Sequence, residues 1–385
     1  MAKGLLRARV IGELQRAGFV YEGGLLLLPE AADPKDLVRG LHAIHRESVL
    51  AKNAQFLNEW EDRLLEDFAS GVEVDPTKIQ PVVEPVDSTR ERALFRFASL
   101  HWSVPVSQGY GRRSRFLVRD LATEKMIGIF ALGDPVFNLG VRDRLVGWSQ
   151  QDRQERLYNV FDAYVLGAVD PYRQIIGGKL VALLALADET SEYLVKKYAG
   201  KTTEILGEKK KADPVLITTT SSMGRSSIYS RLKYNDRWAY RSIGFTEGFG
   251  HFHFSDELFD GLIQHLRDAG HDVRGNEYGE GPNWKIRTIR RALEEIDLNG
   301  DLLRHGIQRE VFVAPRALGW RAFLRGETDY LQWFDYPQAG LNDFWRSRWG
   351  VPRAERDDRY LAHNRDAMRL TPMLEAMEKE GTSTS

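Results

Sequence analysis

The run from Asn159 to Leu186, NVFDAYVLGAVDPYRQIIGGKLVALLAL, constrains the fold more than any other part of the chain. Its first eleven residues form an apolar, β-branched stretch of strand length, and the residues after Lys179 are apolar on every side of a helix. A buried strand that passes through a turn bearing Pro and Gly into a buried helix requires a layered α/β structure. Gly177 and Gly178 sit at the helix start. They can serve packing, by letting the helix approach the strand, or chemistry, by leaving the first helical N–H groups open to an anion such as a pyrophosphate. Packing is the simpler reading, and the anion reading stays open beside it.

Around that run the periodicity divides the chain. Residues 1–72 carry helical spacing throughout and read as a helical N-terminal domain. Residues 73–95, rich in Pro, Val and acid, read as an extended linker. Residues 96–282 form an α/β core of mixed sheet. Its order is a hairpin (RSRFLVRD and MIGIFALGDP), a helical piece (LGVRDRLVGWSQQDRQERLY), the buried strand, the glycine turn with a helix reaching Lys197, and the strand DPVLITTT. A short helix, SSIYSRLKY, and a second hairpin within WAYRSIGFTEGFGHFHF complete it. Residues 283–385 read as an α/β C-terminal extension. It opens on the helix NWKIRTIRRALEEI, contains the strand REVFVAP, is anchored by Trp320, Trp333, Trp345 and Trp349, and ends in a disordered EGTSTS. A length of 385 residues agrees with more than one packed unit.

Composition removes several classes of function. The chain has no cysteine, which excludes disulfides, thiolate nucleophiles and Cys-ligated zinc. Mean hydropathy is -0.41 and no apolar run approaches the roughly 20 residues that cross a bilayer, so no membrane partner is expected. The N-terminus breaks its apolar residues with Arg and Glu, unlike a secretion signal, and a cytoplasmic location is the expectation. With 54 basic against 55 acidic residues the whole molecule is no polycation, so a nucleic-acid partner needs a local patch.

Two resemblances add to this. The element order, VDPYRQIIGG at the helix start, DPVLITTTSS, Tyr229 and YRSIGF (Tyr240–Phe245) are similar to the Gcn5-related N-acetyltransferase fold. That similarity implies an acyl-coenzyme A cofactor with Arg173, Gln174, Gly177 and Gly178 at its pyrophosphate. It also implies Tyr229 as the acid that protonates the departing thiolate. Longer strings resemble the DruA family of Druantia anti-phage proteins: RFLVRDLATEKMIGIFALGDPVFNLGVRDRLVGWS, LYNVFDAYVLGAVDPYRQIIGGKLVALLA, GPNWKIRTIRRALEEI and LLRHGIQREVFVAPRALGWRAFLRGE. This second resemblance spans roughly residues 95 to 330. It implies a bacterial defence role beside other Druantia proteins, including a helicase-like partner, and supplies no reaction.

Several polar constellations qualify as sites. GDPVFNLGVRDR places Asp134, Asn138, Arg142, Asp143 and Arg144 in and after a loop at a strand end, with Asp134 and Asp143 the catalytic candidates. Against this stands a Pro turn with a solvated ion pair. Asp162 lies inside an apolar strand and needs a partner such as Arg142 or Arg144; facing Asp134 or Asp143 it could instead hold Mg²⁺. His251 and His253 share one face of an expected strand, and His42 and His45 one helical turn, but neither pair has an evident third ligand, so no metal site is assigned. EIDLNG departs from a calcium loop, having Gly306 where the bidentate Glu belongs.

Basic residues interleaved with aromatics form the candidate nucleic-acid surface: Arg112, Arg113 and Arg115, then Arg225, Arg231, Lys233, Arg237 and Arg241. Three functions follow: a nucleic-acid-engaging defence module, an acyl-coenzyme A dependent transferase acting on nucleic acid or protein, and a divalent-metal nuclease.

Overall fold

The computed structural model describes residues 3–31, 33–106, 111–202, 207, 209, 211–273 and 284–383. The chain begins with helix α1 (Lys3–Arg16), the hairpin β1 (Val20–Glu22) and β2 (Leu25–Leu27), and helices α2 (Pro34–Ala51) and α3 (Ala54–Leu65). Asp33 starts α2 by accepting the Lys35 N–H at 2.7 Å, with Pro34 at a first-turn position where a missing N–H costs nothing. Next come β3 (Pro81–Pro85) and α4 (Thr89–Leu100), whose start is fixed by a reciprocal Ser88–Glu91 capping box. The middle of the chain runs through β4 (Arg113–Asp120), β5 (Lys125–Gly133), α5 (Gly140–Val146), α6 (Gln150–Arg156), β6 (Val160–Ala168), α7 (Gly177–Leu184) and α8 (Asp188–Tyr198). It continues with β7 (Leu216–Thr220), the short β8 (Lys233–Tyr234) and β9 (Arg237–Trp238), β10 (Arg241–Phe245), α9 (Asp256–Asp268) and α10 (Trp284–Glu295). Last are β11 (Glu310–Pro315), β12 (Ala317–Leu318), α11 (Trp320–Leu324), β13 (Gln332–Trp333), α12 (Gln338–Trp345), α13 (Val351–Arg356) and α14 (Thr371–Ser383).

Seven strands form one sheet in the order β10-β11-β7-β6-β5-β4-β3, antiparallel except where β6 meets β7. Period-two alternation sends successive side chains to opposite faces. Phe116 and Val118 of β4 join α7 and α8 in one core, while Leu117 joins α3 and α4 in another. The protein is thus an α/β structure with a mixed sheet between helical layers. A further core lies outside the sheet, where α1 (Leu6, Val10, Leu14) and α2 (Val38, Leu41) pack with α9 and α10. Glu61 of α3, 3% exposed, accepts the Leu370 N–H at 2.6 Å and ties the C-terminal end of the chain to the N-terminal helices. Among the described residues no helix is long and apolar enough to cross a membrane.

Several local expectations are corrected. Within the expected linker, β3 is an edge strand of the main sheet and α4 begins at Thr89. The helix expected to reach Lys197 breaks at Ala185–Ala187, because Asp188 accepts the Tyr336 N–H at 2.8 Å and Arg316 at 2.6 Å and redirects the chain. SSIYSRLKY is a turn that runs into β8: Lys179 Nζ donates to the carbonyls of Ser227, Ile228 and Ser230 at 3.0, 2.8 and 2.9 Å, and the turn closes through Arg231 at a φ of 59°. The expected second hairpin does not form, since β10 pairs with β11 while His251–Phe254 is a turn. Trp345 is fully buried, as an anchor should be, whereas Trp333 is 44% exposed. EGTSTS enters α14 as far as Ser383; Thr384, Ser385 and the expected boundary within 274–283 lie outside the described residues.

Candidate functional site

The parallel pair β6 and β7 is joined at Val160–Leu216, Phe161–Ile217 and Asp162–Thr218. Beyond that rung β6 continues to Ala168 along β5 and β7 to Thr220 along β11 with no further pairing to each other, so the C-terminal ends of the two strands separate. A crevice of about 3550 Å³ opens there, lined by Ala163–Ala168 on one side and Thr219–Ser222 on the other. Open α/β sheets place their ligands at such carboxyl ends.

Asp162 stands at the fork. It accepts the Thr218 hydroxyl at 2.7 Å, and burial raises its carboxyl to about 6 despite that bond and the charges of Arg142 and Arg113. Tyr229 lies beside it, 6% exposed, with its hydroxyl 3.5 Å from Thr219 Oγ1 and its ring against Tyr240 and Phe312. Burial pushes the phenol up to about 12, so it keeps its proton at neutral pH. Tyr229 sits on the turn and not on the expected helix. Tyr164, two residues after Asp162, lies under the Arg113 guanidinium at 4.0 Å and has a buried hydroxyl without a hydrogen-bond partner.

The loop after β5 is held by its own polar residues. Asp134 accepts the Arg112 backbone N–H at 2.8 Å and pairs with its guanidinium at 2.6 Å. Asp143 accepts from Leu139 N, Arg142 Nε, Trp148 Nε1 and Arg153 at 3.0, 2.9, 3.2 and 3.2 Å. Arg142, 0% exposed, also donates to the Val136 and Phe137 carbonyls at 2.8 and 2.9 Å. Asp134, Asn138, Arg144 and Asp162 line the crevice; Asp143 does not. Among the described residues no three His, Asp or Glu side chains converge as a metal-holding group.

At the glycine turn, Arg173 and Gln174 both donate to Asp170. Gly177 packs so closely that a Cβ there would come 2.6 Å from the Tyr172 carbonyl oxygen, while one on Gly178 would meet Ile228 at 3.3 Å. Both glycines therefore have packing reasons. Arg173 and Gly178 also line the crevice; Gln174 and Gly177 do not.

Of the eight expected nucleic-acid contacts, Arg112, Arg113 and Arg225 face the crevice, whereas Arg115, Arg231, Lys233, Arg237 and Arg241 lie elsewhere. Arg112 is also committed to stacking, 3.8 Å above Tyr158 and 4.2 Å above Phe161. Other cations contribute. Among the described residues, sixteen Lys and Arg line the crevice against seven Asp and Glu. Phe137, Phe245 and Phe249, 43, 37 and 41% exposed, stand on its walls.

Seven histidines line it too, among them His42, His253 and His305. These three are nearly inaccessible, and burial lowers them to about 3, 4 and 3. His45 and His251 are lowered as well, chiefly by burial. His251 and His253 do not share a strand face, because the segment is a turn. Arg309 and His305 escaped the sequence reading, which had no local motif to mark them.

The family model described as "Druantia protein DruA" matches residues 32–326. A Druantia protein DruA of Escherichia coli (strain UMEA 4076-1) is 44% identical over 362 residues, covering 92% of this chain and 88% of that protein. No solved structure matches the chain. The chain belongs to the Druantia protein DruA family.

Proposed function

We propose that this Druantia-type anti-phage defence component engages nucleic acid in the crevice at the β6–β7 fork, in the cytoplasm and alongside other Druantia proteins, including a helicase-like partner. The observation that carries the reading is charge segregation. Sixteen cations against seven anions line one crevice of a chain whose net charge is -1. Such a concave basic surface attracts a polyanion, and the exposed phenylalanines supply faces on which unpaired bases stack. Fluorescence anisotropy with single- and double-stranded DNA over a salt series tests it. The affinity falls linearly on a log–log plot, and Arg225→Ala or Lys201→Ala reduces the slope by about 1 each. Absence of binding at about 50 mM salt overturns the reading.

An acyl-coenzyme A dependent transferase on an acetyltransferase-like core is the second reading. It is favoured by the strand, glycine turn, helix and strand that run through β6, α7 and β7, with Gly178 facing the crevice. In that reading Arg173, Gln174, Gly177 and Gly178 hold the pyrophosphate and Tyr229 is the acid. Asp162, with its carboxyl near 6, would take a proton from the accepting group. Calorimetric titration with acetyl-coenzyme A, repeated on Gly178→Glu, decides it: binding lost in the variant supports the reading, and no heat from the unmodified chain sinks it.

A further inference from the structure

His42 on α2, His253 in the turn before α9, and His305 and Arg309 in the segment leading to β11 meet on the crevice wall, far apart in sequence. Arg309 donates from Nη2 to His42 Nε2 at 3.2 Å. A guanidinium has no lone pair to offer, so that His42 nitrogen is bare and the ring neutral. His253 donates its Nε2–H to the Leu302 carbonyl at 2.7 Å, leaving Nδ1 bare as well. Phe252 packs on the group, stacked on His42 at 4.2 Å and edge-on to His305 at 4.8 Å.

The arrangement lacks a counter-charge. Among the described residues no carboxylate pairs with Arg309, and burial alone lowers its pKa. Its Nε is buried without a hydrogen-bond partner, as is Nδ1 of His253, a residue 7% exposed. The charged or titratable groups acting on the three imidazoles are bases, namely Arg309, His45 and His251 beside the three themselves. Asp256, the acid that acts on His45 and His251, is paired with Lys52 at 2.7 Å. A buried cation with an idle Nε–H, beside bases of which His42 and His253 can each gain a proton, is a receptor awaiting an anion.

We propose that Arg309, His42 and His253 form a receptor for a phosphate group entering from the crevice. This deepens the nucleic-acid reading and rests on it only for the source of the phosphate. A phosphate takes the guanidinium N–H bonds away from His42, whose Nε2 then accepts a proton and donates to the anion. His253 Nδ1 can do the same. Binding therefore draws protons from solvent.

The probe is inorganic phosphate, titrated calorimetrically into the full chain in low-salt buffers of two ionisation enthalpies. The expected result is saturable binding with proton uptake, weakened at least tenfold in Arg309→Gln and partly regained in Arg309→Lys. In phosphate-free buffer Arg309→Gln melts no lower than the unmodified chain, because it removes an unpaired buried charge. Phosphate raises the melting temperature of the unmodified chain alone. Equal binding by Arg309→Gln, no binding at about 10 mM phosphate, or a sharp phosphate-free loss of stability in that variant each overturns the proposal. Competition identifies the source: displacement by a 5′-phosphorylated but not a 5′-hydroxyl oligonucleotide assigns a strand end, displacement by both assigns a backbone diester, and displacement by a nucleoside monophosphate alone assigns a free nucleotide. DNA that binds without displacing phosphate leaves the nucleic-acid reading standing and overturns this placement of its phosphate. Phosphate binding without any DNA binding does the reverse.

Discussion

Thr218 holds the Asp162 carboxylate at 2.7 Å on the last rung that joins β6 to β7. The bond does not offset burial, which raises the acid from 3.8 to about 6. The folded state therefore binds the extra proton between those values, and the contribution of Asp162 is most favourable below pH 3.8 and lost as pH rises through 6. Asp162→Asn is expected to gain about 1–3 kcal/mol in urea unfolding at pH 7.5 and nothing at pH 4. Loss of stability at pH 7.5 would show that Arg142 needs the charge.

The two glycines of α7 should separate cleanly. Gly177→Ala drives a methyl into the Tyr172 carbonyl, a backbone atom that cannot swing away, and is expected to cost about 2–3 kcal/mol. Gly178→Ala meets only side-chain atoms, Cδ1 and Cγ1 of Ile228 at 3.3 Å, which must give by a few tenths of an ångström, and should cost less than about 1 kcal/mol. Denaturation midpoints of both variants check this, and equal midpoints would refute it.

Stability in phosphate-free buffer should fall steeply on acidification. His42, His253 and His305 titrate near 6.5 when unfolded and at about 3, 4 and 3 in the fold, so the unfolded chain binds more protons between those limits. Their contribution is complete above pH 6.5 and drains away as pH falls to about 4 for His253 and about 3 for His42 and His305. His305→Asn, whose amide oxygen can still accept from Ile307 N–H as His305 Nδ1 does at 3.1 Å, should flatten the slope by about one proton. Melting temperatures at pH 7, 6 and 5 read it directly.

Phe137→Ala and Phe249→Ala should weaken single-stranded DNA binding by about 1–3 kcal/mol where a base stacks. Both side chains are only 43 and 41% exposed, so each change also costs some stability, but neither should alter the salt slope. Unchanged affinity in both variants would remove stacking from the account.

What could be read in advance followed from periodicity. β4, β5, β6, β7, β11 and α10 alternate or repeat within themselves, and Asp162 stood out as a lone acid in an apolar strand. β3 was hidden because Pro81 and Pro85 argue against a strand that only an edge position permits. SSIYSRLKY has helical spacing, but Lys179, about fifty residues earlier, captures its carbonyls. His42 and Arg309 are 267 residues apart, a pairing made by tertiary structure and announced by no motif.

The edge strand has one more consequence. Two of the three residues of β3 that face outward are prolines, and the Gln338 side chain occupies the rest, accepting from Val83 N–H at 3.1 Å and donating to the Pro81 carbonyl at 3.2 Å. A glutamine amide thus impersonates the missing eighth strand, closing that margin to templated growth by another copy or a foreign peptide. Association with other proteins is left to side-chain surfaces there, which keeps a chain with so long a sheet from polymerising along it.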